Sequence, residues 1–197
     1  MPTRHANILR GFSAAWVALA VMLGLGHDNS AADLEELKVK AGTIRIMAVR
    51  TEWREEDFPT KDAPIVIGMV GSNPFKEEHQ DFTALLTEGK IGTHEVKVKV
   101  LQGLEEIEQC HIVYISLKEQ SHLKDVISKL KTLKDRRVLT ISDISEFKKE
   151  GGMAEISAKQ AGPKKFTPHI DVNWGSLKSV GWKFDNQLTV AIMKMKN

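Results

Sequence analysis

Cys110 is the only cysteine of the chain, and His111 follows it at once. A thiol beside an imidazole could begin a metal site. A metal site would need further Cys, His or carboxylate ligands at fitting spacing, and no C-x-x-C or H-x-x-x-H pattern occurs. Neighbours in a strand also point to opposite faces, so the two side chains would diverge. The expectation is an inward Cys110 that behaves as a small hydrophobe and a His111 at an edge or on the surface.

A second group has more promise. Ser72 and Asn73, Ser116, and Ser142 and Asp143 each follow an apolar, strand-like run. In a parallel sheet such positions gather at the carboxyl edge, where α/β folds bind ligands. They form the candidate pocket for a ligand or partner, although residues of these types also serve as N-caps for the helices that follow. Trp174, beside Gly175, is the candidate partner-facing residue. No Gly-rich phosphate loop, G-x-S-x-G elbow or apolar-embedded carboxylate pair is present. The expectation is no catalytic residue, no metal and no cofactor.

These positions depend on an alternation of strands and helices. Leu34, Leu37, Ala41, Ile44, Met47 and Ala48 recur at steps of three and four, which predicts an amphipathic helix over 33–53. APIVIGMVG, 63–71, reads as a buried strand, and PFKEEHQDFTALLTEG, 74–89, as a helix opening on Pro and closing on Gly89. HEVKVKVL, 94–101, alternates apolar and charged residues, as a strand near a sheet edge does. Further strands are expected at 110–116 and 137–142, with a helix over 119–133 between them and a short helix, ISEFKKEG, capped by Asp143 after them. Beyond Gly151 and Gly152 the pattern becomes a hairpin joined at Gln160 to Gly162, then two helices, the last capped by Asp185. The fold class is therefore α/β. It is a single domain with a largely parallel sheet flanked by helices, a C-terminal β-hairpin at the edge, and terminal helices.

The first 32 residues stand outside this domain. Arg4 and Arg10 precede an apolar run at 11–26, and Ser30, Ala31 and Ala32 supply small residues beyond it. That order is a secretory signal peptide, 1–32, cut after Ala32 and leaving a domain of 33–197. An uncleaved anchor is the alternative, but the run falls short of the ~20 residues a span requires. Across the 197 residues 28 basic and 26 acidic side chains nearly cancel; without 1–32 the balance is 26 against 25. The basic residues form no stripe, which argues against nucleic acid as a partner. A lone cysteine in an exported chain also leaves stability to packing rather than to a disulfide.

Glu52 and Trp53, Gly71 to Phe75, Cys110 and His111, Ser142 and Asp143, and Gly151 to Met153 follow one another in an order that resembles the YfiR-like family of exported bacterial proteins, over roughly 38–195. The resemblance implies a periplasmic regulator. Its best-known type is a repressor that binds the periplasmic part of an inner-membrane diguanylate cyclase, lowers cyclic-di-GMP synthesis, and is relieved by an outer-membrane lipoprotein. It admits a sensor kinase as the inner-membrane partner, and a homodimer. The chain departs from the family in lacking its additional cysteines, in the Ile44 to Met47 segment of the first helix, and in a leucine-poor C-terminal helix. The alternative reading is a periplasmic small-molecule-binding or hydrolytic domain with its pocket at the strand ends.

Overall fold

The computed structural model describes residues 27–77, 80–133 and 137–195. Helix α1 (His27–Val49) contains no proline and turns Ala41, Ile44, Met47 and Ala48 inward. It stops four residues short of the expected end. Thr51 donates its hydroxyl to the Met47 carbonyl and then bridges to Phe184, while the Trp53 indole folds back onto the Ala48 carbonyl. The last turn thus finds its partners in side chains rather than in more helix.

Strands β1 (Ile65–Val70), β4 (Val96–Leu101), β5 (Ile112–Ile115), β6 (Leu139–Ser142), β7 (Ala154–Gly162) and β8 (Lys165–Val172) form one sheet in the order β4-β1-β5-β6-β7-β8. All the pairings are parallel except β7 with β8. The edge position expected for the 94–101 strand and the antiparallel hairpin at the opposite edge are both found. The hairpin runs slightly further than expected, to Gly162, and turns at Pro163 and Lys164.

Two expected helices are replaced. Over 74–89 the chain makes a small ribbon of β2 (Lys76–Glu77) and β3 (Gln80–Asp81), followed by the short helix α2 (Thr83–Thr87). The cause lies at its start. Asn73 accepts the Phe75 N–H in a local turn, Phe75 is fully buried against Tyr114, and its carbonyl takes the Phe82 N–H, so the ribbon closes before a helix can propagate. ISEFKKEG is likewise a run of turns. Ser142 Oγ takes the Ile144 N–H, and the Phe147 ring lies so close over Gly152 that an added Cβ would stand 2.2 Å from it.

Helix α3 (Leu123–Thr132) covers one face of the sheet, with Leu123, Val126 and Ile127 meeting Val113, Ile115 and Phe147. Helices α1, α4 (Trp174–Ser179) and α5 (Asn186–Met195) cover the other, around Ile44, Met47, Ile67, Leu177, Leu188 and Ile192. Asp185 caps α5 as expected, accepting the Leu188 N–H at 2.8 Å. Among the described residues no helix is long and apolar enough to cross a membrane. The 1–32 leader lies mostly outside the described residues, and Ala32 falls within α1.

Candidate functional site

Because β1, β5 and β6 are adjacent and parallel, their carboxyl ends lie side by side. The five polar residues at those ends are engaged with their own surroundings to different degrees. Asn73 donates to Thr83 Oγ1 at 2.9 Å besides accepting from Phe75, and Ser72 donates to Glu119 Oε1 at 2.8 Å. Ser142 Oγ donates to the Ile115 carbonyl at 2.7 Å, which ties β6 to β5. Asp143 accepts the Leu117 N–H at 2.6 Å and Lys40 Nζ at 2.8 Å. It caps the segment after β5, not the turns after itself. Ser116 Oγ is buried and has no hydrogen-bond partner among the described residues.

The electrostatics of this edge suit holding rather than proton transfer. Burial works against the Lys40 ammonium, but its bonds to Asp143 and Glu36 outweigh that and raise its pKa. Burial, reinforced by the Asp143 carboxylate, pushes the Tyr114 phenol well above its ordinary value, so it stays protonated and serves as a donor. Among the described residues no group of three or more His, Cys, Asp or Glu side chains is placed to hold a metal ion.

The opposite, amino edge carries a constellation that was not expected. His111 is 4% exposed rather than superficial. Its Nδ1 accepts the Val66 N–H at 3.1 Å, which leaves the proton on Nε2 to be donated to the Asp57 carbonyl, also at 3.1 Å. The ring packs against Trp53 and Phe58, and Phe58 stacks on His94 with centroids 3.7 Å apart. Cys110 is buried as expected, but it precedes β5 rather than lying in it. Its thiol occupies the space left by Gly68, where an added Cβ would stand 2.6 Å from Sγ.

Trp53 meets Trp182 edge to face at 5.1 Å, and the Arg137 guanidinium lies 3.8 Å over the Trp182 ring. Arg137 Nη1 reaches both Asp57 oxygens at 2.9 Å, with the two side chains 12% and 4% exposed. Burial lowers the Arg137 pKa and Asp57 opposes that shift. Two grooves flank the tryptophan pair. One, of about 620 Å³, is bordered by Trp53, Arg54, Phe58, Lys61 and His94. The other, of about 430 Å³, is bordered by Trp174, Trp182, Lys183 and Phe184, so the structure places Trp174 half-buried in a groove wall. A signal for this cluster does exist in the sequence. His94, His111 and Arg137 each stand one or two residues ahead of a strand, which in a parallel sheet puts them on one edge.

Sequence comparison decides where the chain belongs. The YfiR/HmsC-like family matches residues 37–190, from the middle of α1 into α5. The chain belongs to the YfiR/HmsC-like family. That span takes in every strand of the sheet and both of its edges, and so nearly the whole domain described above. A search of curated proteins found no match.

Proposed function

We propose that the chain is exported, cut after Ala32, and acts in the periplasm as a non-catalytic regulator of cyclic-di-GMP signalling. The observation that carries this reading is membership of the YfiR/HmsC-like family over nearly the whole folded domain. The basic, apolar and small-residue order of residues 1–32 supports the export step. A cut after Ala32 starts the mature chain at Asp33, whose charge suits the N-terminus of the shortened α1.

The regulator binds the periplasmic part of an inner-membrane signalling protein, a diguanylate cyclase in the first instance and a sensor kinase in the second. An outer-membrane lipoprotein relieves it, and a second copy of the chain is a further candidate partner. The groove wall around Trp174 gives such a partner apolar surface beside Lys178 and Lys183. No proton transfer is needed, because a regulator shifts its partner's equilibrium only by the difference in its affinity for two partner states. The small-molecule reading has less behind it, since Asn73, Ser142 and Asp143 spend their polar atoms on caps and turns.

Titration of the purified mature protein into the periplasmic domain of its cyclase tests this reading. Saturable binding at one stoichiometry, weakened by Trp174→Ala, is the expected outcome. Turnover of a substrate with no binding to any such domain would overturn it.

A further inference from the structure

Among the described residues three strand edges of the sheet lack a neighbouring strand, and they are not protected alike. β4 ends the sheet on one side and carries Lys97 and Lys99, the latter paired with Glu106. β8 ends it on the other and carries Lys165 and Pro168, the latter unable to donate to a ladder. Both are guarded in the usual manner against pairing with another chain.

The third edge belongs to β7. That strand pairs with β8 along its length but with β6 only through Ala154 and Glu155. From Ile156 to Gly162 the side facing away from β8 has no strand beside it among the described residues. At about 3.3 Å per residue this is roughly 23 Å of open edge, standing past the carboxyl end of β6. Its residues are Ser157, Ala158, Lys159, Gln160 and Ala161 between Ile156 and Gly162, with a single lysine and no proline.

The outer part of the hairpin is also of one charge. Between Ile156 and Ile170 the charged residues are Lys159, Lys164 and Lys165, all exposed, with no acid among them. His169 adds little to that charge near neutral pH, because burial first and Lys159 second lower its pKa. The rest of the domain is close to electrically balanced, so the arm is a local positive feature. Its inner face is occupied: Ile156 and Ile170 are buried in the core that α1 covers. The edge past Glu155 is left without a strand partner.

We propose that the β7 edge from Ile156 to Gly162 is a docking strand that accepts an extended, acid-bearing segment of a partner protein. Main-chain hydrogen bonds to the open edge give the affinity, and the lysines select acidic side chains. This deepens the regulatory reading and rests on it for the partner's identity, but not for the binding chemistry. A lipid surface would use the lysines and leave the edge unpaired, so it accounts for half of the observations.

The test uses the purified, exported protein and synthetic peptides, and needs no partner. One peptide alternates valine and threonine with interspersed aspartates; a second has lysine for aspartate; a third is the acidic peptide interrupted by prolines. Hydrogen exchange is read along the chain. The acidic peptide is expected to slow exchange in 156–162 about tenfold, equivalent to 1.4 kcal/mol, and the other two to leave it unchanged. Two variants separate the contributions. Ala161 lies at the register shift and has no cross-strand partner, so Ala161→Pro blocks the edge while keeping the hairpin. Lys159→Glu with Lys165→Glu removes the charge preference. Each is expected to weaken the acidic peptide about tenfold with the melting temperature unchanged. Equal binding of the basic peptide, protection at β4 or β8 instead, or absence of protection would overturn the proposal. So would binding to vesicles of anionic phospholipid with no protection by any peptide. Failure here leaves binding to the cyclase domain measurable by titration, so the two readings fail separately.

Discussion

The two edges of the parallel sheet are made of opposite materials. At the carboxyl edge, small polar side chains satisfy backbone groups at short range: Ser142 takes the N–H two residues on, and Asn73 does the same for Phe75. At the amino edge, large side chains from distant segments close over one another: Trp53, Phe58, His94, His111, Arg137 and Trp182. The first arrangement is a set of separate small hydrogen bonds, some local and some, as from Ser142 to the Ile115 carbonyl and from Lys40 to Asp143, between distant segments, and each part can fail with little effect on the others. The second is one packed unit, in which a loss at any member is felt by all.

Substitutions should expose that difference. Trp182 is 1% exposed and lies between Arg137 and Trp53, so Trp182→Ala is expected to cost about 3–5 kcal/mol in urea denaturation. Next comes the buried ion pair. Arg137→Met leaves the Asp57 carboxylate buried and is expected to cost about 3 kcal/mol, whereas adding Asp57→Asn recovers part of that loss. A double-mutant cycle reads the coupling, and strict additivity would show that the pair does not act as a unit.

At the carboxyl edge the effects shrink. Asp143→Asn weakens the bond to Lys40 and keeps only part of the cap on Leu117, for an expected loss of about 1–2 kcal/mol. Ser72→Ala removes one exposed hydrogen bond to Glu119 and should stay within about 0.5 kcal/mol. If Ser72→Ala cost as much as Trp182→Ala, the contrast between the edges would be lost.

The smallest effect is one of pH. His169 has a lowered pKa in the folded hairpin, so the unfolded chain binds its proton first as pH falls. Stability should therefore decline slightly through the ordinary histidine range, and His169→Gln should remove that slope. An identical pH profile in wild type and variant would remove His169 from the account.

The same contrast explains what could be read from the sequence. The strands and the edge hairpin were legible because their signals are local: apolar runs such as IVIGMV, and glycines and proline at the turns. The placement of the carboxyl-edge residues was legible too, since they end or closely follow their own strands. The amino-edge cluster was legible only in part: His94, His111 and Arg137 stand just ahead of strands, but Trp53, His111 and Trp182 meet only once the register of β1 with β5 and the docking of the C-terminal segment are set. His111 illustrates this: strand alternation says which way it points, but not that Phe58 and Trp53 will cover it. The 74–89 segment failed for a related reason. Its helical pattern was real but weak, and the burial of Phe75 against Tyr114 outweighed it.

Cellular cyclic-di-GMP tests the central claim, control of a membrane enzyme from the periplasm, most directly. Deleting the gene should raise the level, and the full chain should restore it. A form lacking residues 1–32 should be made and folded in the cytoplasm yet leave the level high, since it cannot reach a periplasmic domain. Full restoration by that leaderless form would contradict the account.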